Sequence, residues 1–158
     1  MEMTLRWYGK KFDTVTLEQI RQIPGVRGVI TTLYDTEPGE VWSRERINAL
    51  KEEVESAGLE IAGIESVNVH EDIKLGKPDR DVLIDHYIET LENLGKEDIH
   101  MVCYNFMPVF DWTRTELARK RPDGSTVLAY TQKAVDALIP EEMSQSIACD
   151  MTGSVMPG

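Results

Sequence analysis

The sequence predicts an α/β protein assembled from repeated strand-helix units, and three observations carry that prediction. Short runs rich in β-branched residues alternate four times with stretches whose apolar residues recur at helical spacing. Such alternation implies parallel strands joined by right-handed crossovers. No GxGxxG and no P-loop follows any of the strands, which removes the usual nucleotide-binding reasons for an open doubly wound sheet and leaves half of a (β/α)8 barrel as the favoured architecture.

Residues 3–8 read as the first strand, closed by Gly9 and the basic pair Lys10-Lys11. Thr16 opens a helix, with Gln19 as the return partner of a capping box; Leu17, Ile20 and Ile23 form its apolar stripe and Pro24-Gly25 stops it. Residues 26–33, VRGVITTL, are the second strand. The loop 34–42 turns at Pro38-Gly39 and reaches Ser43, an N-cap for a helix in which Ile47, Leu50, Val54 and Ala57 recur on one face. Gly58 stands where a C-terminal cap belongs.

Residues 59–67, LEIAGIESV, form the third strand, followed by the polar stretch VNVHEDIKLGKPD, too long for a simple connection and therefore a candidate functional loop. Asp79 caps a third helix whose Leu83, Ile84, Tyr87, Ile88, Leu91 and Leu94 make one broad apolar face ended by Gly95. Residues 99–106 are the fourth strand. It runs into CYNFMPVFDWTRT, residues 103–115, a strand end crowded with polar and aromatic side chains of the kind that line an α/β site. Further on, RPDGS is a turn, 127–138 a helix and 140–146 another.

With 41% hydrophobic and 28% charged residues this is the composition of an ordinary globular domain. A net charge of -11 offers no basic surplus to neutralise phosphates, which argues against a nucleic-acid partner. The two cysteines, Cys103 and Cys149, have no CxxC spacing and read as reduced thiols. The opening MEMTLRWYGKKFD carries charges where a signal peptide has an apolar core, and no apolar run approaches the ~20 residues of a membrane span. The expectation is a cytoplasmic protein that meets no membrane.

Period-2 alternation places Arg6 and Tyr8 at the mouth of the first strand, Glu65 on the third and Asn105 on the fourth. A cation, a phenol, a carboxylate and an amide converging there suit a polyhydroxylated acid. Arg6 or Arg114 can pair with its carboxylate, Glu65 and Asn105 can bond its hydroxyls, and Trp7 or Trp112 can stack on its carbon skeleton. Glu65 beside an arginine is equally the pattern of a structural ion pair, and spacing does not separate the two. His70 follows the third strand with Glu71 and Asp72; it reads as a proton donor, a substrate contact, a metal ligand or a plain loop histidine. His86 and His100 read as structural, and Cys103 as small core filler. No HxH, HExxH or carboxylate cluster stands at metal-ligand spacing.

The blocks RWYG (6–9), GEVWS (39–43), ESV (65–67), HEDIK (70–74) and CYNFMPVFDWTRT (103–115) closely resemble the D-mannonate dehydratases. The resemblance runs from the first strand to the end of the chain, and the long block makes chance agreement implausible. It implies a TIM barrel related to xylose isomerase, of which this chain supplies about the first four βα units. It further implies dehydration of D-mannonate to 2-keto-3-deoxy-D-gluconate in hexuronate (glucuronate) catabolism, with a divalent metal, usually manganese (Mn2+). The implied chemistry removes the C2 proton and expels the C3 hydroxyl while the metal holds the enediolate charge.

Asn68 departs from the family pattern, where proline usually separates ESV from HEDIK. Members of the family are longer than this chain, and their metal ligands and proposed acid and base belong to the second half. The resemblance therefore implies no metal ligand here, substrate contacts from Arg6, Tyr8, Glu65, His70, Asn105, Trp112 and Arg114, and His70 as the single catalytic candidate. Residues 1–158 are expected to be the truncated N-terminal half of one barrel domain, inactive alone and inclined to form a homo-oligomer. The alternatives are a sugar-acid isomerase or epimerase of the same superfamily, and a non-catalytic half-barrel.

Overall fold

β-Branched and aliphatic runs in the first hundred residues pair into one parallel sheet, with helices filling the connections. The computed structural model describes residues 2–106 and 114–137. The chain divides into two compact units, Met1–Pro108 and Val109–Gly158.

The first unit runs β1 (Met3–Arg6), α1 (Gly9–Phe12), α2 (Leu17–Arg21), β2 (Val26–Thr31), α3 (Arg44–Ser56), β3 (Glu60–Asn68), α4 (Glu71–Lys74), α5 (Arg80–Lys96) and β4 (Val102–Asn105). Its sheet order is β1-β2-β3-β4, every pair parallel, so each crossover delivers the chain to the next strand of a half-barrel. Registered partners share a face. Thr31, Ile64 and Val102 form one row on the helix side, while Arg6, Ile30 and Gly63 form a row on the opposite side.

The core lies on the helix side. Trp7, Val29 and Ile64 from the sheet segments meet Leu17 and Ile20 of α2, Ile47, Leu50 and Val54 of α3 and Leu94 of α5. Val29 and Ile64 are fully buried, each contributing about 1.5–3 kcal/mol of transfer free energy. Trp7, expected as a stacking platform, is instead 1% exposed within this core, because Leu5 and Trp7 alternate to the helix side. Cys103 departs the other way: it is exposed on β4 rather than filling a core. Strand spacing also fixes Gly28, since a Cβ there would stand 2.9 Å from the Glu60 carbonyl oxygen on β3.

The helix signals hold with two corrections. The Thr16-Gln19 capping box forms in both directions, and the Ser43 hydroxyl accepts from the Arg46 N–H. α3 ends in a Schellman motif, with Gly58 N–H on Glu55 O, Leu59 N–H on Val54 O, and Gly58 at φ +77°. α5 ends in the same motif three residues past Gly95: Asp98 N–H meets Gly95 O, Ile99 N–H meets Leu94 O, and Asp98 takes the left-handed φ of 66°. At the other end, Asp79 occupies the N-cap of α5 but makes no capping hydrogen bond with its side chain.

The second correction concerns the buried face of α5. Leu94 is buried and Tyr87 packs against the core as expected, but Ile84, Ile88 and Leu91 are exposed, and Thr90 and Asn93 are buried beside Leu94. The cause is the backbone of the GEVWS segment: Trp42 N–H donates to Thr90 Oγ1 (3.1 Å) and Asn93 Nδ2 donates to Trp42 O (2.9 Å). Satisfying those buried groups rotates the helix away from its most hydrophobic side.

The second unit contains β5 (Glu116–Lys120), β6 (Thr126–Ala129) and α6 (Gln132–Asp136). RPDGS is a turn as expected, closed by Arg121 N–H on Ser125 O and Gly124 N–H on Arg121 O. It joins β5 and β6 as an antiparallel hairpin, however, so the helix expected over 127–138 is a strand followed by five helical residues. The helix expected over 140–146 lies outside the described residues.

Candidate functional site at the sheet edge

The row that includes Arg6 leads to the carboxyl-terminal edge of the sheet. Arg6 is the last residue of β1, and Glu65 lies near the end of β3, two strands away. Arg6 Nη1 stands 2.7 Å from Glu65 Oε2. Adjacent strands are about 4.8 Å apart, so the long arginine arm crosses the whole width of β2 on the inner face. The Arg6 side chain is 19% exposed and that of Glu65 50%, which leaves the carboxylate as the open member of the pair.

The guanidinium is held on further sides. Nη2 donates to the Tyr34 hydroxyl at 3.2 Å, and the group lies 5.0 Å from the centroid of the Tyr8 ring, within cation-π range. Nε and Nη1 are enclosed without an aligned hydrogen-bond acceptor, so the contact with Glu65 is a charge pairing with donor capacity to spare. Burial pushes the Tyr34 phenol up, and Arg6 pulls it part of the way back.

Tyr34 carries no mark in the sequence beyond being an aromatic residue just after a strand, and its partner stands 28 residues away. Its hydroxyl also donates to Trp7 O at 3.4 Å. Its ring packs between Phe12, with centroids 5.6 Å apart, and Tyr8, at 6.3 Å.

Asn105 sits at the end of β4, but its registered neighbour is Asn68, while Glu65 faces Cys103. The register shifts between Glu65 and Val67, so that Asn105 pairs with Asn68 rather than with Val67. His70 is the N-cap of α4: its Nδ1 accepts the Asp72 N–H at 3.1 Å. An accepting Nδ1 leaves the proton of the neutral ring on Nε2. The ring lines a cleft with Pro38, Gly39, Trp42, Leu83 and Tyr87, so His70 ties its loop to the Gly39 turn. His86 fastens the same turn by donating to Gly39 O at 2.9 Å.

The structure thus brings together Arg6, Tyr8 and Glu65, with Tyr34 added. Arg114 belongs to the second unit, just ahead of β5, and Trp112 lies outside the described residues. Among the described residues no three His, Cys, Asp or Glu side chains gather as metal ligands would. No helix among them is long and apolar enough to cross a membrane.

A parallel, curled, four-stranded sheet with helices on one face and charged and aromatic groups at its carboxyl-terminal edge defines a βα half-barrel. A model of the D-mannonate dehydratase family (UxuA) matches residues 1–158, and the chain belongs to that family. It is 61% identical to the mannonate dehydratase of Brachyspira hyodysenteriae and 54% to that of Thermotoga maritima, in both cases over all of this chain and 44% of the relative. The crystal structure of mannonate dehydratase from Streptococcus suis serotype 2 superimposes with a TM-score of 0.85 at 52% identity, over 95% of this chain and 43% of that one. The chain spans less than half the length of these relatives.

Proposed function

We propose that this chain forms the substrate-side half of a mannonate dehydratase, which converts D-mannonate to 2-keto-3-deoxy-D-gluconate and water in hexuronate catabolism. The observation that carries the reading is the Arg6–Glu65 pair, set at the strand ends of a chain whose relatives bear that name. In this reading Arg6, Tyr8, Glu65, His70 and Asn105 wall the substrate. A carboxylate and several hydroxyls need cationic, anionic and amide partners at once, and Arg6, Glu65 and Asn105 supply one of each. The complete fold is a (β/α)8 barrel, and manganese is held by residues other than those described here. The enzyme is cytoplasmic and homo-oligomeric.

The work of this half is to bind and orient. Arg6 neutralises negative charge near the mouth, and Glu65 accepts from substrate hydroxyls. The test joins the whole chain to the C-terminal remainder of the Brachyspira hyodysenteriae enzyme and supplies D-mannonate and manganese. NMR of the product should show a 2-keto-3-deoxy acid. A product that retains the elements of water, or no product, overturns the reading.

A further inference from the structure

We propose that Tyr34 is a positioning residue of this site: its hydroxyl fixes the guanidinium of Arg6, and Arg6 in turn holds the Glu65 carboxylate in its working orientation. The inference rests on the reading of Arg6 and Glu65 as substrate groups. Arginine has five donors in a rigid planar fork, so fixing one nitrogen fixes the direction of the others. Nη2 is fixed by Tyr34 at 3.2 Å, which sets the plane of the guanidinium and with it the place of Nη1, 2.7 Å from Glu65 Oε2 across β2.

The tyrosine is suited to the task because it is itself constrained. Its hydroxyl proton goes to Trp7 O, so a lone pair is left facing Arg6, and the bond returns to the residue immediately after Arg6. The ring cannot swing away, since Phe12 and Tyr8 flank it and a Cβ at Gly9 would already stand 3.3 Å from its Cδ2. Gly9 at φ +76° allows the turn that brings α1 onto the ring. Without the hydroxyl, Arg6 keeps Glu65 and the Tyr8 face as partners but loses the hydrogen bond that sets its angle.

Two measurements test this. In the chain itself, urea unfolding of Tyr34→Phe, Arg6→Met and the double variant forms a cycle: the effect of Tyr34→Phe should shrink to the loss of its bond to Trp7 O once Arg6 is methionine, and additive effects overturn the contact. In the chimeric full-length enzyme, Tyr34→Phe should lower kcat/KM for D-mannonate by about tenfold, the usual weight of a hydrogen bond to a charged group, and the same substitution should do nothing further in an Arg6→Met background. Wild-type kinetics in Tyr34→Phe alongside impaired Arg6→Met and Glu65→Gln overturn the positioning role and leave the proposed function standing. Wild-type kinetics in Arg6→Met and Glu65→Gln overturn the substrate role of the pair itself.

Discussion

Arg6 and Glu65 stand on strands separated by β2, yet their charged groups meet at 2.7 Å. Because the Glu65 side chain is half exposed, the pair contributes little to stability, about 0–1 kcal/mol. A conserved fold with impaired chemistry is therefore the expected phenotype. In the chimeric enzyme, Arg6→Ala should reduce turnover by about tenfold or more while the urea midpoint moves little. Asn105→Ala should behave alike. Steady-state kinetics beside a denaturation curve checks both, and wild-type turnover in both variants would place the substrate elsewhere.

Trp42 depends on α5 for both of its backbone bonds. Replacing Thr90 by valine keeps the shape but leaves the Trp42 N–H buried without an acceptor, a loss of about 1–3 kcal/mol. Thr90→Ser keeps the hydroxyl and should retain most of that stability. Equal losses in the two variants, read from urea midpoints, would show that the methyl group and not the hydrogen bond matters.

Burial holds the phenols of Tyr34 and Tyr87 above the ordinary value of 10.0. A folded-state value raised above the unfolded one gives stability that is complete below pH 10.0 and is lost as pH rises through the folded value. Alkaline absorbance titration should show a late tyrosinate component, and Tyr34→Phe should diminish it. An unchanged late component would mean that Tyr34 titrates as if solvated.

Gly28 is required by the approach of β2 to β3. An alanine methyl would lie 2.9 Å from the Glu60 carbonyl oxygen and 3.2 Å from Ala62 Cβ, and neither group is the free end of a flexible side chain. Gly28→Ala should therefore destabilise by about 1–3 kcal/mol, the range of overpacked cores. A thermal melt within error of wild type would show that the strands can part at no cost.

Local signals proved the most legible. The capping box at Thr16, the Ser43 cap and the Gly58 terminus each depend on residues within five positions of one another, and each forms as read. What depended on distant partners was not readable. The apolar count of α5 pointed to Ile84, Ile88 and Leu91, but two backbone bonds to Trp42, some fifty residues earlier in the chain, decided which face is buried. The same holds at the site. Alternation put Arg6 and Glu65 on the inner face, whereas the register shift that pairs Asn105 with Asn68 has no mark in the sequence, and Tyr34 entered through a contact 28 residues long. In the second unit the Pro-Asp-Gly turn was visible, but Thr126 to Ala129 lack a buried face strong enough to reveal a strand.

The end of α5 offers a stabilising substitution. Gly95 looked like the cap, but the left-handed residue is Asp98 at φ 66°, a conformation that costs an L side chain about 1 kcal/mol relative to glycine. Asp98 gains something in return from His100, whose Nε2 lies 2.7 Å from its Oδ1, but both side chains are exposed, so that contact returns only a few tenths of a kcal/mol. The backbone term is the larger. Asp98→Gly should raise stability by about 0.5–1 kcal/mol, since both Schellman bonds, to Gly95 O and Leu94 O, use main-chain groups that glycine retains. Urea denaturation reads the change directly, and a second variant isolates its cause: His100→Ala removes the ion pair alone and should shift the midpoint by less. If Asp98→Gly instead lowered the midpoint as far as His100→Ala does, the side-chain contact and not the left-handed backbone would govern this helix end.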